Sequence, residues 1–309
     1  MDTFIQQIIN GLVTGSMYAL VALGYTMVYG VLNLINFAHG DVLMVGAMVG
    51  LSILKGLSIV APELHGGAAL AIAMLGAIPV CMLVNVIIER VAYRRLRNAP
   101  RLAPLITAIG ISYLLTTYAQ MIWGRAPLSF PQLLSTVPIN IGGAVISQTQ
   151  VLLLALALLS MGALVLLVER TKLGRAMRAT AENPRVAGLM GVDSNKVIVA
   201  TFAIGAALAA VAGVMWGANY STIVYGMGTL PGMKAFSAAV LGGIGNIYGA
   251  MIGGIVLGLI EAMGAGYIGD LTGGFLGSHY QDIFAFVVLI IVLTIRPSGI
   301  MGERVADRA

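Results

Sequence analysis

The sequence predicts an all-α polytopic membrane protein with about eight transmembrane helices, in the range of seven to nine. Three observations predict this fold. Hydrophobic residues make up 59% of the 309 residues and charged residues only 9%, which is too few charges to cover a soluble domain of this length. Several apolar segments reach the roughly 20 residues that a span requires, and the basic residues fall in a few short blocks. We therefore expect residues 1–309 to form a single membrane domain.

The apolar segments define the expected spans in chain order. Six of them are long enough to cross a bilayer: 8–31, 70–88, 102–123, 148–168, 197–217 and 280–295. Two more, 41–54 and 233–266, are shorter or broken by glycine. The sequence leaves open whether 233–266 spans twice or re-enters from one side. Broken or re-entrant segments therefore belong to the predicted fold.

Glycines four residues apart recur within these apolar segments. The spacing occurs at Gly11/Gly15, Gly46/Gly50, Gly213/Gly217, Gly245/Gly249/Gly253 and Gly254/Gly258. Small residues at this spacing let the backbones of neighbouring membrane helices approach closely. The pattern predicts a tightly packed bundle and carries no information about chemistry.

The basic residues predict the orientation of the chain. Fourteen of the 17 Lys and Arg residues lie in three blocks, five in 90–101, six in 170–196 and three in 296–308. Cytoplasmic loops of membrane proteins are enriched in Lys and Arg, so both basic loops and the C-terminus are expected in the cytoplasm. Because the positive charge follows the loops, the net charge of +5 does not indicate a nucleic-acid partner. The bilayer is the expected surrounding.

A polar interruption, LNLINFAHGD at 32–41, divides two apolar runs and has a weak counterpart. An offset of 209 residues superimposes VLNLINFAHG (31–40) on VLGGIGNIYG (240–249), and an apolar helix, a loop and a helix ending in arginine follow both copies. The matching ends indicate a parallel internal repeat. Paired interruptions of this kind are typical of a solute path, because irregular backbone needs protein or water to satisfy it. Ordinary loops are the alternative.

The candidate path residues come from both interrupted stretches. They are Asn33, Asn36, His39, Gly40, Asp41, Gly242, Gly243, Gly245 and Asn246. We expect Asp41 to cap the following helix, where the helix dipole favours a carboxylate, in preference to relaying protons. His39 is either a contact to solute or an interfacial histidine with its own partners. Glu261, the other carboxylate near an apolar segment, is expected near the outer end of its helix and solvated.

Other polar residues give weaker signals. Four polar residues lie on one side of a predicted helix: Tyr113, Thr116, Thr117 and Gln120. They either line a water-filled path or form hydrogen bonds to neighbouring helices. The three histidines have no metal-ligand spacing, so no metal site is expected. No nucleophile and base stand in a catalytic pattern, and no phosphate-binding G-x-x-x-x-G-K-[ST] motif occurs. The chain is therefore not expected to be an enzyme or to hydrolyse ATP itself.

The loop 169–196 contains a predicted short helix outside the membrane. Asn183 suits the N-cap, Pro184 the first helical position and Gly191 the C-terminal stop. Such a short helix is marginal in water on its own, so its apolar residues require a partner. The residues concerned are Glu182, Asn183, Pro184, Arg185, Val186, Ala187, Gly188, Leu189, Met190 and Gly191. The partner is either a protein groove or the lipid headgroups.

Four motifs together resemble the LivH-type permeases for branched-chain amino acids. They are GYTMVYGVLNLINFAHGD (24–41), ERVAYRRLR (89–97), GRAMRATAENPRVAGLMGV (174–192) and KAFSAAVLGGIGNIYGAMIGG (234–254). The resemblance covers nearly the whole chain, although 124–147 carries no such motif. It identifies 182–191 as a coupling helix, which in ABC importers docks on an ATP-binding subunit.

The resemblance implies an ATP-driven importer of leucine, isoleucine and valine in the bacterial inner membrane. The implied partners are a LivM-type second permease subunit, two ATP-binding cassette subunits that hold ATP and Mg, and a periplasmic solute-binding protein. This chain would hold no cofactor. Alternatives are an ABC permease for urea or short amides, and a stand-alone secondary carrier or channel.

Overall fold

A computed structural model describes residues 2–97, 99–100, 102–133, 138–141, 143–273 and 280–302. Arg101, Arg304 and Arg308, which belong to the predicted cytoplasmic blocks, lie outside the described residues. The described residues are overwhelmingly helical, with four short strands. The predicted all-α polytopic membrane fold is confirmed.

The helices follow one another along the chain with short connections. Their bounds are α1 Asp2–Leu32, α2 His39–Val60, α3 Gly66–Ile88, a π-helical segment Glu89–Tyr93, α4 Arg94–Leu96, α5 Leu102–Trp123, α6 Gln148–Arg170, α7 Lys172–Glu182, α8 Pro184–Leu189, α9 Ser194–Tyr220, α10 Thr229–Gly242, α11 Ile247–Leu271 and α12 Gln281–Ile295. Seven of the described helices are long and apolar enough to cross a membrane. The shorter α12 is also apolar, so the number agrees with the predicted range.

Two segments that the sequence left uncertain are now defined. The stretch 41–54 belongs to a full helix, α2, which continues to Val60. The stretch 233–266 contains the 14-residue α10 followed by the 25-residue α11. The glycines between them end one helix and permit the next to begin, which accounts for the broken apolar pattern.

The two ends of the bundle differ in composition. At one end lie α7, α8, the residues after α3 and the last residue of α6, which together carry most of the described basic side chains. We term this the basic end. At the other end two small antiparallel sheets form, β1 (Leu128–Ser129) with β4 (Thr222–Ile223) and β2 (Pro138–Ile141) with β3 (Ala144–Ser147). We term this the strand end.

Close glycine contacts hold the centre of the bundle together. A Cβ atom added at Gly11, Gly15 or Gly258 would come within 3.0 Å of the backbone of the facing helix, since these residues join α1 to α11. Gly46 likewise meets Ala210 of α9. The close approach predicted from the glycine spacing is confirmed at these positions, whereas a Cβ at Gly245 would meet no atom within 4 Å. Because α1 and α9 are the most buried spans, the core lies around them, and α3, α5 and α6 lie at the periphery.

Candidate functional site

The predicted short helix in the loop 169–196 is present as α8. The Asn183 side chain caps it by accepting hydrogen bonds from the amides of Arg185 and Val186 at 3.0 and 3.2 Å. Pro184 is the first helical residue. Gly191 has a φ of +84°, a left-handed conformation that favours glycine after a helix. The sequence-based prediction of this helix is confirmed.

The apolar side chains of α8 point away from the rest of the protein. Val186, Leu189 and Met190 are 53%, 87% and 81% exposed. Ala187 is the buried residue of the helix, and the Ser194 hydroxyl donates to the Pro184 carbonyl at 3.2 Å. One face of α8 is therefore attached to the start of α9, and the other is an unpartnered apolar surface at the basic end.

The helix α7 connects α8 to the bundle. Gly174, Met177 and Thr180 form its buried face, and the Thr171 hydroxyl caps it by accepting from the Gly174 amide. Arg178 donates to the carbonyl of Val168 at the end of α6. The helix α8 is thus attached through α7 to packed helices.

The first interrupted stretch forms the connection between α1 and α2. Asn33 leaves α1 with a φ of +53° and is exposed at the basic end. Asn36 is buried and accepts a hydrogen bond from the Tyr93 hydroxyl at 3.0 Å. Its own carbonyl accepts from the amide of His39, the first residue of α2. The two asparagines therefore have different surroundings.

His39 lies deep inside the protein. Its ring packs edge-on against Tyr25, with centroids 5.0 Å apart, and it lies beside Gly24 of α1 and Gly205 near the midpoint of α9. Neither ring nitrogen has a hydrogen-bond partner among the described residues. The alternative of an interfacial histidine with its own partners does not describe this environment.

Asp41 does not cap α2, so that prediction is wrong. The helix begins at His39 with Ala38 at the N-cap, and no side chain caps it. Asp41 is buried in the first turn, and it accepts a long hydrogen bond, 3.4 Å, from Thr116 of α5. The helix begins two residues earlier than expected because the turn at 36–38 supplies carbonyl acceptors for its first amides. The dipole still favours a carboxylate there.

The start of α2 meets the start of α10 inside the bundle. A Cβ on Gly40 would come within 3.0 Å of the Gly228 carbonyl and of Gly232, and a Cβ on Gly228 would meet the Gly40 carbonyl as closely. The amides of His39 and Asp41 in the first turn of α2 donate to the carbonyls of Asn36 and Ala38. Two helix N-termini therefore close against each other here. The motif GTLPG at 228–232 carried the only sequence signal for this contact.

The second interrupted stretch lies at the basic end. Gly243 and Gly245 have positive φ values of 106° and 99° in the connection between α10 and α11. Gly242 and Gly243 pack on the backbones of Gly249 and Gly302. Asn246 donates to the Met301 carbonyl at 3.0 Å and accepts from the Gly249 amide. The structure therefore gives Gly242, Gly243 and Asn246 close packing partners.

Of the candidate path residues in this stretch, Gly245 lines a cavity, and Ile247 of the same stretch lines it too. The cavity has a volume of about 100 Å³ and lies between α1, α6 and α7, with Thr26, Met177 and Arg178 in its wall. Gly30 of α1 is also close to the Gly245 carbonyl. The two interrupted stretches thus approach each other at the basic end, whereas His39 and Gly40 lie deeper in the bundle.

A buried group of charged residues lies elsewhere in the bundle, and the sequence did not predict it. Lys234 of α10 forms ion pairs with Glu261 of α11 and Asp282 of α12, each at 2.6 Å. The Tyr18 hydroxyl of α1 donates to Glu261 at 2.9 Å. The prediction that Glu261 is solvated is wrong, because its side chain is packed between helices and only 9% exposed. The sequence feature that could have predicted this group is Lys234, a single basic residue inside an apolar segment.

The polar residues of α5 do not act as one face. Thr116 points inward to Asp41, whereas Tyr113 is 72% exposed and Thr117 is exposed beside it. The Thr117 hydroxyl donates to the Tyr113 carbonyl of its own helix. Of the two alternatives for this set, bonding to a neighbouring helix describes Thr116, whereas Tyr113 and Thr117 face outward and Gln120 is half-buried.

Comparison with known proteins gives matches over nearly the whole chain. A family model described as "Branched-chain amino acid transport system / permease component" matches residues 7–293. The chain is 44% identical over 308 residues to the high-affinity branched-chain amino acid transport system permease protein BraD of Pseudomonas aeruginosa, covering 97% of this chain and 96% of BraD. It is 43% identical over 305 residues to the corresponding LivH of Escherichia coli K12, with the same coverage. A probable branched-chain amino acid transport permease LivH of Methanocaldococcus jannaschii is 29% identical over 315 residues, covering 95% and 91%.

Proposed function

This chain belongs to the family of permease components of branched-chain amino acid transport systems, and on that premise we propose that it imports leucine, isoleucine and valine as the membrane-spanning subunit of an ATP-driven transporter. The importer lies in the bacterial inner membrane, with the basic end in the cytoplasm. ATP and Mg are held by two ATP-binding cassette subunits, and a periplasmic binding protein delivers the solute.

The exposed apolar face of α8 is the observation that carries this proposal. Three apolar side chains, Val186, Leu189 and Met190, are largely uncovered at the basic end, where a soluble partner would approach. Burying a side chain of this size is worth about 1.5–3 kcal/mol, so a groove on an ATP-binding subunit would gain substantially by covering them. A helix lying on lipid headgroups is the alternative occupant of this face.

The outer face of α5 supports a second permease subunit as a further partner. Of the seven spans, α5 is the least buried, yet it is less apolar than the other peripheral spans α3 and α6. It exposes Tyr113 and Thr117 along its length. Polar groups are unfavourable against lipid chains. A LivM-type subunit that offers hydrogen-bonding partners would cover this face better than lipid does.

The solute path of the proposal follows the first interrupted stretch. Asn36 and His39 carry buried nitrogen atoms without partners among the described residues, and they lie next to the contact between Gly40 and Gly228. Separation of the α2 and α10 termini would uncover the polar side chains of Asn36 and His39, which carry no fixed positive charge. Such groups suit a small zwitterion. Asn33 and Gly245 extend the path toward the basic end.

A stand-alone secondary carrier is the alternative that one observation favours. The buried group of Lys234, Glu261 and Asp282 contains carboxylates of the kind that proton-coupled carriers use. Here, however, both carboxylates already form ion pairs with the ammonium of Lys234, so the group is internally compensated. The other alternative, an ABC permease for urea or short amides, differs from the proposed function only in the solute that is transported.

Reconstitution into proteoliposomes tests the proposal. The chain is assembled with or without its candidate ATP-binding, second permease and binding-protein partners, and uptake of labelled leucine is followed with ATP inside the liposomes. We expect uptake only in the complete assembly, with competition by isoleucine and valine and none by urea or acetamide. ATP-independent uptake by this chain alone, driven by a proton gradient, would overturn the proposal in favour of a carrier.

A further inference from the structure

A π-helical segment, Glu89–Tyr93, lies between α3 and α4 and has a buried polar residue at each end. Segments of π-helix are rare, and they are frequent at functional sites because the extra residue weakens the local hydrogen-bond ladder. Both terminal side chains of this segment, Glu89 and Tyr93, are fully buried. They connect to two different parts of the molecule.

At one end the π-helical segment is connected to the start of α9 and, through it, to α8. The guanidinium of Arg97 forms an ion pair with Glu89, and it also donates to the Asn195 side chain at 2.6 Å. Asn195 lies in the first turn of α9, next to Ser194, which donates to Pro184 of α8. Glu89 is therefore connected to α8 through one ion pair, two hydrogen bonds and the adjacent residues Ser194 and Asn195.

At the other end the segment is joined to the start of α2. The Tyr93 hydroxyl donates to Asn36 at 3.0 Å, and the Asn36 carbonyl accepts from the amide of His39. The Tyr93 ring packs on Phe202 of α9 with centroids 5.4 Å apart, so the ring has a structural role that is separate from the hydroxyl. Asn36 thus holds the first turn of α2, whose Gly40 meets Gly228.

The connection is incompletely satisfied in this conformation. Buried atoms without a hydrogen-bond partner among the described residues occur at four residues along this connection, namely Glu89 Oε2, Arg97 Nε, Asn36 Nδ2 and both nitrogens of His39. Buried polar atoms are normally paired. A second arrangement of the same residues would allow more of these atoms to find partners.

We propose that Arg97, Glu89 and Tyr93 are positioning residues that couple the movement of α8 to separation of the α2 and α10 termini. This inference rests on the proposed function. In the proposal, displacement of α8 and the first turn of α9 pulls Arg97 and shifts the π-helical segment. The Tyr93 hydroxyl then moves Asn36 and the first turn of α2 away from Gly228. The displacement reaches the π-helical segment through Asn195 and is passed on to α2 through Asn36.

The test uses the complete reconstituted importer and measures leucine imported per ATP hydrolysed. Tyr93→Phe removes only the hydroxyl and keeps the ring on Phe202. We expect this ratio to fall about tenfold, within the usual range of coupling effects, while assembly and the KM for leucine-loaded binding protein stay within about twofold. Tyr29→Phe in α1 is the matched control and should keep the wild-type ratio.

One further variant keeps the test decisive if Tyr93→Phe does not assemble. Arg97→Lys keeps the charge but not the paired contacts to Glu89 and Asn195, and we expect it to lower the ratio, whereas Arg95→Lys on the exposed surface should not. Where Tyr93→Phe assembles, Tyr93→Phe with Asn36→Leu should be no worse than Asn36→Leu alone, because both changes remove the same link. Unchanged ratios, or fully additive losses, would overturn the coupling role. Absence of ATP-dependent uptake in the wild-type assembly would instead refute the proposed function.

Discussion

The imidazole of His39 occupies the space beside Gly24, where any other residue would place its Cβ atom. A Cβ at Gly24 would come within 3.0 Å of His39 Nε2, and Tyr25 and Gly205 limit the movement of the ring. The buried start of α2 therefore requires a glycine on α1. This relationship gives the first of four predictions.

Gly24→Ala should destabilise the protein by about 1–3 kcal/mol, the usual cost of adding a methyl group to a packed interior. Adding His39→Ala to the same chain should recover much of this loss, because it removes the overlapping ring. Thermal unfolding in detergent measures both effects. Gly110→Ala, where the added Cβ would meet no atom within 4 Å, is the control. A Gly24→Ala variant as stable as this control would contradict the described packing.

The pairing of α1 with α11 gives a second prediction. Gly258→Ala places a Cβ against the backbone of Gly15 and Gly11, and helix backbones cannot yield as a side chain can. We expect a loss of at least about 1–3 kcal/mol, measured by thermal unfolding in detergent. Gly162→Ala in the peripheral α6, where the added atom has open space, should be neutral or slightly stabilising because alanine favours helix. Equal melting temperatures for the two variants would argue against this helix pair.

The proposed coupling role of α8 gives a third prediction. Val186→Glu with Leu189→Glu places two charges on the exposed face of α8. We expect co-purification of the ATP-binding subunits to be lost and leucine uptake to fall more than about tenfold, since a buried interface does not accept unpaired charges. The folding of this chain should be unaffected, because both side chains are largely exposed.

The control for this experiment lies at the opposite end of the molecule. Ile59→Glu with Val60→Glu changes two apolar residues that are each 83% exposed, at the end of α2. This variant should retain the ATP-binding subunits. If the α8 variant also retains them and transports normally, then α8 is not the coupling helix, and an interfacial helix on lipid becomes the better interpretation.

The buried group around Lys234 gives a fourth prediction. Lys234→Met leaves Glu261 and Asp282 without their cation, and breaking a buried ion pair from one side typically costs about 3–5 kcal/mol. Lys234→Met with Glu261→Met should recover part of this cost, because fewer buried charges are then uncompensated. Unfolding in detergent measures the difference, with Lys55→Met at an exposed position as control. A loss in Lys234→Met no larger than in the control would show that the three side chains are not a stabilising unit.

Several features were predictable because they depend on neighbours in the chain. The caps of α8 at Asn183 and Pro184, and the left-handed Gly191, follow from local backbone chemistry. The glycine spacing predicted close helix contact, although it did not indicate that Gly15 faces Gly258. The sequence predicts that a polar stretch interrupts the chain before α2, as observed, but it does not predict where the helix starts or which partners these residues bond. Asp41 was assigned as a cap because the sequence does not reveal that the turn at 36–38 already starts the helix.

The contacts that give the site its character join residues far apart in the chain. Lys234 lies 27 residues from Glu261, and Tyr93 lies 57 residues from Asn36. Hydropathy, charge and capping act locally, so the membrane fold, the positions of most helices, the basic loops and the short helix α8 are predictable from the sequence. Which buried polar groups meet, and that the termini of α2 and α10 close on each other, is visible only in the folded protein. Those partners depend on how the helices pack, and that packing minimises the cost of burying polar groups over the whole bundle at once.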